Sequence, residues 1–493
     1  MAIDIGSLYS NQSSTDQYID QMMRIESRPR DALALKLDSL YDRKKLLSDL
    51  DSKLSGLSTI MERLTDPITD FFAAKLATSS DSDLFTVTAG ATAELGNHSL
   101  SVDRLAISDT RVSQQYTDTD SSFGGFNSDQ TFSIEVAHPT DEDASNRVEI
   151  SVTIDAGVFA GTNDDVLQAI SNAINSAMSS AAADETIEND EEVNVNVVTE
   201  EDGTSRLVFR SEKSGYNHRM EFTDSADNLL QTLEVNSGSQ SAGTSGGYIT
   251  TVGDSQSNSM LNARFTMDGL TYYRSSNNVT DAMNGVTIQL LDSFDTDETI
   301  AVNTDTDTVK EEIQGFLDSF NEVLKFVKDN AQINPTTHKR GLLADDVTYK
   351  NIVNQLREYA RSEVAVTNAD YSRIFNIGIE ADSSGMLSIA DLEKFTEAIE
   401  SNSLYVSDIF NADDGIAVQI HDYIDNFVKT GGTIDNGKEN ITNQVMNLSN
   451  RISLKDEMLY RREMQLRNEF ATLQQAMARV SNQQSFLGMF NRQ

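Results

Sequence analysis

The sequence predicts an α+β multidomain protein, with a discontinuous helical coiled-coil or bundle domain from both chain ends, two inserted mainly β domains, and amphipathic terminal helices. Three observations predict it. A heptad seam runs near the start of the chain, a second lies near its end, and between them the apolar period changes to two. A length of 493 residues with 38% apolar side chains supports several cores, so global disorder is not expected.

The first seam consists of Leu33, Leu37, Leu40, Leu47, Leu50, Leu54, Leu57, Met61 and Leu64, at spacings of 3, 4 or 7. Pro29 should break any helix before it and start this one, and Pro67 should end it. Next comes the β region. Phe132, Ile134 and Val136 alternate with polar residues, as do Val148, Ile150, Val152 and Ile154, which predicts half-buried strands. Further strands are expected over 99–106, 192–198, 205–210, 263–273, 285–291 and 299–303.

One helix interrupts them, "NDDVLQAISNAINSAM", with Asn163 as its expected cap and Leu167, Ile170 and Ile174 on one face. The stretch "NSGSQSAGTSGG", Asn236 to Gly247, reads as a flexible linker between two β subdomains. Helical spacing returns at Val309, Ile313, Phe316, Phe320, Leu324 and Val327, with later helices near 347–362, 389–402 and 416–429. The second seam then runs through Ile441, Val445, Leu448, Ile452, Leu459, Leu466, Phe470, Leu473, Met477 and Val480. The simplest topology brings the two seams together and treats the β material as an insertion. Their heptad spacing also suits partners in other chains.

Charge is unevenly spread. Residues 1–75 hold 10 basic and 12 acidic side chains, residues 441–493 hold 7 and 4, and residues 76–440 hold 21 and 62. So acidic a middle repels nucleic acid and acidic membranes. No run of 18 apolar residues is present, and "MAIDIGSLYS" lacks the basic and apolar regions of a Sec-type signal peptide, so no membrane insertion is expected. The absence of Cys excludes disulfides, thiol catalysis and thiolate metal sites.

Apparent chemical motifs fail on context. "GTSGG" matches a nucleophile elbow only inside the glycine-rich stretch, without a strand-to-helix turn. The five histidines are scattered singly. "DSSGMLSIADLE" from Asp382 has acids at the ends of a calcium loop, but Leu387 occupies the position that needs Gly, so a turn held by Asp382 and Gly385 is the better reading. No catalytic, cofactor or metal residues are assigned, and an enzyme is disfavoured.

An ordered series of segments carries a resemblance. "IDQMMRIESRPRDALALKLDSLYDRKKLLSDLDSKLSGL", "FAAKLATSSDSDLFTVTAGATAELGNHSLSVDRLA", "GVTIQLLDSFDTDETIAVNTDTDTVKEEIQGFLDSFNEVLKFV" and "IGIEADSSGMLSIADLEKFTEAIESNSLYVSDIFNADDGIAVQIHDYIDNFV" are similar to the flagellar hook-associated protein 2 family, the filament caps. The series closes on "RNEFATLQQAMARVSNQQSFLGMF", and it covers roughly three quarters of the chain by segment matching. "VTIDAGVFAGTNDDVLQAISNAINSAM" with "SRLVFRSEKSGYNHRMEF" also resembles the insertion module of flagellins and caps. Residues 109–147 and 231–247 match least.

The resemblance implies an exported protein, passed through the flagellar type III apparatus and assembled as an oligomeric cap at the distal tip of the filament. It implies flagellin, a hook-filament junction protein and further copies of the chain as partners. An export chaperone is expected on the C-terminal coil, because an apolar stripe in the cytosol needs cover. Carried onto this chain, the assembly or partner residues are Ile19, Met22, Leu33, Leu37, Leu40, Leu466, Phe470, Leu473, Met477, Val480, Phe486 and Leu487.

The expected division is residues 1–40 as an N-terminal coil loose in the free subunit, 41–77 plus 305–440 as a helical leg, 78–108 plus 248–304 as an inner β domain, 109–247 as an outer β-rich insertion, and 441–493 as a C-terminal coiled-coil segment. Two rival readings are a flagellin-like filament subunit and a surface adhesin for host glycans or mucin. The adhesin would use exposed aromatics such as Tyr272 and Tyr273.

Overall fold

The computed structural model describes residues 12–140, 145–333, 340–366 and 368–490, and of these the side chains of 12–14, 481 and 484–490 are not described. The chain forms two compact units. One combines the segment ending at Phe72 with the segment from Thr306 onward, and the other is Ala73–Asp305.

The chain enters through helices α1 (Gln12–Glu26) and α2 (Arg28–Leu64). The expected break at Pro29 is a single-residue interruption. Ser27 keeps helical dihedrals, and its N–H donates to the Met23 carbonyl at 2.7 Å. Pro29 lies in the first turn of α2, where an N–H has little use. At the other end the Thr65 N–H and hydroxyl both return to the Met61 carbonyl, at 3.0 and 2.9 Å, two residues before Pro67.

The β unit then runs through β1 (Lys75–Ser79), β2 (Phe85–Ala89), β3 (Gly96–Arg104), β4 (Ser108–Val112), β5 (Tyr116–Thr117), β6 (Gln130–Ala137) and β7 (Arg147–Ile154). Helix α3 (Asn163–Ala183) leads to β8 (Val193–Glu201), β9 (Thr204–Ser214), β10 (Glu221–Thr223), the one-turn α4 (Leu229–Thr232) and β11 (Gly247–Tyr248). The unit closes with β12 (Ala263–Met267), β13 (Leu270–Arg274), β14 (Asn278–Met283), β15 (Val286–Leu290) and β16 (Phe294–Thr304).

Two separate cores result. Sheets β1-β16-β3-β12-β13 and β14-β15-β2 enclose Phe85, Leu100, Val102, Phe265, Ile288 and Ile300. Sheets β10-β6-β7 and β11-β4-β9-β5, with β8 on β9, pack with α3 around Ile134, Val152, Ile170, Ile174 and Phe209.

Three expectations are corrected here. Residues 263–273 are not one strand but the β12–β13 hairpin, because Asp268 and Gly269 both take positive φ (50° and 80°), the geometry of a two-residue hairpin turn. The cap of α3 is Thr162 rather than Asn163, with Asp165 completing a capping box. Asn163 is buried instead, its amide donating to the Thr117 carbonyl at 2.8 Å and its oxygen accepting from the Ser122 N–H at 2.8 Å.

Residues 236–247 are not a free linker. The Gln240 N–H donates to the Tyr248 carbonyl at 3.0 Å, and the Gln115 N–H reaches the Thr244 carbonyl at 2.9 Å. Gly247, at φ 125°, passes so close that a Cβ would lie 2.2 Å from the Gly238 carbonyl oxygen. Gly246 and Gly247 therefore serve close packing. The two β cores join elsewhere, where the Gly215 N–H meets the Ile107 carbonyl and buried Asn262 accepts from the Tyr216 N–H at 2.7 Å.

The chain returns as α5 (Thr306–Ala331), α6 (Val347–Arg361), the hairpin of β17 (Ile379–Ala381) and β18 (Leu387–Ile389), α7 (Leu392–Asn411), α8 (Ile416–Val428) and α9 (Thr433–Phe490). The Asp382 carboxylate accepts from the Ser384 and Met386 N–H groups at 2.7 and 2.9 Å, and Gly385 sits at φ 79°. That is the turn expected in place of a calcium loop. One core unites both chain segments: Leu50, Leu54 and Leu57 of α2 lie in it with Phe316 and Phe320 of α5, Phe410 of α7, Ile424 of α8 and Ile441 of α9.

Gly215→Ala should loosen the join between the β cores, since φ is 91° and the new Cβ would sit 2.3 Å from the Ser275 Cα. The expected loss is more than about 1 kcal/mol, measured by thermal unfolding of the full chain.

Candidate assembly interface

Helix α9 lies against α2 and then α1 in antiparallel fashion. It starts with a close approach, since a Cβ on Gly437 would lie 2.7 Å from the Tyr349 hydroxyl and 3.2 Å from Leu47 Cδ1. A series of rungs follows. Lys438 Nζ bonds Asp51 at 2.7 Å, Lys44 Nζ bonds the Thr442 hydroxyl at 2.9 Å, and Arg30 Nε meets Asp456 at 2.8 Å. Further out, Arg462 pairs with Glu26 at 3.3 Å, Arg467 with Asp16 at 2.8 Å, and the Gln474 amide with the Thr15 hydroxyl at 3.0 Å. Positions climb along α9 as they fall along α2 and α1 at every rung, so the antiparallel pairing holds from Lys438 to Gln474.

These polar rungs act on charge as well as on register. Asp51 first, then Asp435, holds the Lys438 ammonium above its ordinary value. Glu463 on the same helix, with Asp16 across it, raises the Arg467 guanidinium, and Asp456 raises that of Arg30. Exposed pairs of this kind add little to stability, because water and salt screen them. They select the register, and the apolar seam supplies most of the attraction.

The structure sorts the expected seam residues by depth. Ile19 and Leu466 are fully buried within the chain. Leu33, Leu37, Leu40, Phe470 and Met477 are half-buried, and Leu40 packs against the helical core. Met22, Leu473 and Val480 are exposed. Phe486 and Leu487 belong to the backbone of α9, but their side chains lie outside the described residues. The two seams thus meet each other inside one chain.

A second set of residues was missed by the heptad pattern. Leu35 and Tyr41 on α2, and Met446, Leu454, Met458, Tyr460 and Met464 on α9, are large, apolar and exposed. The available signal was their phase, since each falls out of step with the seam on a face that should be polar.

Other candidate chemistry is occupied by the fold. His98 Nδ1 lies 2.7 Å from Asp268, whose carboxyl that contact holds below its ordinary value, and His421 lies 3.2 Å from Glu62. His338 falls outside the described residues. Among the described residues no group of three His, Cys, Asp or Glu side chains could hold a metal, and no helix is long and apolar enough to cross a membrane. Tyr272 is half-buried, stacked on Phe265 with ring centroids 5.2 Å apart and with the Arg274 guanidinium 5.5 Å from its ring.

Known families match regions that take in both paired ends. The family models for the flagellar hook-associated protein 2 N-terminus and C-terminus match residues 11–109 and 261–482. The chain belongs to the flagellar hook-associated protein 2 family. It is 23% identical over 493 aligned positions to the A-type flagellar hook-associated protein 2 of Pseudomonas aeruginosa, covering 96% of this chain and 94% of that one. It is 26% identical to the flagellar hook-associated protein 2 of Salmonella typhimurium over 70% of this chain and 69% of that one.

The fold agrees. The crystal structure of the D1-D2-D3 domains of the flagellar cap protein from Escherichia coli superposes with a TM-score of 0.57 at 22% identity, over 80% of this chain and 99% of that one. The stretch between the two hook-associated protein 2 models, 110–260, contains the second β core, where the segment resemblance was also thinnest.

Leu466→Ala should destabilise the helix pair by about 2–5 kcal/mol, whereas Leu473→Ala should stay within about 0.5 kcal/mol. Amide exchange of α9 reads both. Equal effects of the two substitutions would contradict the assigned burial.

Proposed function

We infer that this chain is a structural, oligomeric cap at the distal tip of the bacterial flagellar filament, exported and assembled there in contact with flagellin. The observation that carries the reading is the antiparallel pairing of the two chain ends, which are the parts matched by the hook-associated protein 2 models. The family is a structural one, and neither the flagellin-like nor the adhesin alternative is favoured. In this role the cap retains exported flagellin and promotes its folding and insertion.

Three finer elements belong to the same proposal. The exposed seam residues Met22, Leu473 and Val480 are contact points for neighbouring subunits or the filament. The distal part of the helix pair is the loosest part of the free subunit, because burial fades beyond Leu466 while the entropy of ordering each residue does not. The C-terminal coil takes an export chaperone before secretion, and the hook-filament junction protein receives the cap at the start of filament growth.

Electron microscopy of purified protein should show small closed rings or plates, and long filaments would favour a flagellin-like subunit instead. A chain lacking residues 467–493 should lose any chaperone complex while its β unit stays folded by circular dichroism. Retained chaperone binding by that chain would remove the coil from this role.

A further inference from the structure

We propose that copies of this chain meet through the outer faces of the terminal helix pair, an acidic apolar strip on α2 of one copy docking on a basic apolar strip on α9 of the next. This rests on the reading of the chain as an oligomeric cap and gives that assembly a surface distinct from the heptad seam.

On α2, Leu35, Asp38 and Asp42 are spaced by three and four residues, and Tyr41 follows Asp38 by three, so the four share one face. Leu35 is 71% exposed and Tyr41 52%, and both aspartates are exposed with no ion pair among the described residues. On α9, Arg451, Leu454 and Met458 repeat the spacing, and Lys455 follows Arg451 by four. Leu454 is 60% exposed and Met458 62%, and both cations are exposed and likewise without an ion pair among the described residues.

The two strips fit each other in length, shape and sign. Each spans two helical turns, about 10 Å, and carries two large apolar side chains and two like charges. Neither faces the seam, because the seam is already filled from within the chain by residues such as Leu47, Leu448 and Leu466. An occupant of the α9 strip must be helical, apolar and acidic, and α2 of a second copy presents those three properties together. Because the two strips are different surfaces, the contact is head-to-tail. Repeated around an axis it closes into a ring, with one such junction per subunit.

The full-length chain tests this by sedimentation velocity across a salt series. Arg451→Glu with Lys455→Glu should weaken self-association by about tenfold or more, as should Asp38→Lys with Asp42→Lys. All four changes in one chain should restore association, since every junction regains opposite charges. Leu454→Ala with Met458→Ala should weaken it with the charges intact. Circular dichroism verifies that the helix pair persists, and if a reversal unfolds it, Arg451→Gln with Lys455→Gln carries the same test through a reduced salt dependence.

A native chain that never associates would sink the cap reading and this junction with it. A native chain that associates while both reversed chains associate equally well would overturn the junction alone and assign the strips to another partner. Failure of the fourfold change to restore association would overturn it too.

Discussion

The antiparallel pairing of β1 with β16 is the constraint on which the rest depends. Lys75 stands opposite Thr304 and Ser79 opposite Ile300, and the Asp305 N–H donates to the Ala74 carbonyl at 3.0 Å. The whole excursion from Ala73 to Asp305 therefore begins and ends at one place. Loop-closure entropy grows only slowly with length, so a long insertion is tolerated once its ends are tied. With the ends tied, the end of α2 and the start of α5 are neighbours in space although 241 residues lie between Leu64 and Thr306. Their facing rows, Leu57, Met61 and Leu64 with Val309, Ile313 and Phe316, can then build one core.

From that core the helix pair grows outward, and its energetics change along its length. Near the bundle, α9 is held on several sides: Ile434 and Ile441 are members of the core that also contains Tyr349 and Ile420. Further out, among the described residues, α1 is the helix beside it, and a two-helix coil can bury only one stripe of each helix. Burial then falls from complete at Leu466 to partial at Phe470 and to exposure at Leu473. Among the described residues the polar rungs persist to Gln474, beyond the fully buried Leu466, so register is maintained where cohesion is weakest.

The helical seams and the alternating strands were legible because period and burial coincide in them. Leu47, Leu50, Leu54, Leu57, Met61 and Leu64 carry the seam spacing and are all buried. Val148 to Ile154 was read as a strand from alternation alone and is β7. The shortest strands, β5 and β11, were not legible, because two residues cannot display a period. The β12–β13 hairpin was hidden by apolar residues on both sides of its turn, although Asp268-Gly269 was the available signal. The stretch 236–247 misled for a different reason: glycine marks both flexibility and close approach, and only the neighbours at Gly238 and Glu234 decide which. At the interface, the seam was legible and its partner was not, since a heptad repeat encodes a matching helix without saying whose it is.

Charge separates the chain ends from the long stretch between them. Residues 76–440 hold 62 acidic and 21 basic side chains, a surplus that makes close approach between the bodies of two copies unfavourable at any separation within the screening length. The terminal segments escape it: 10 basic and 12 acidic side chains at the start, 7 and 4 at the end. They are also of opposite sign, so the pairing of ends within a chain and an end-to-end junction between chains draw on the same attraction. An assembly built on the bodies alone must overcome their repulsion with buried apolar area. One built through the ends has a surface where both the charge and the exposed apolar residues, Leu35 with Tyr41 and Leu454 with Met458, favour contact.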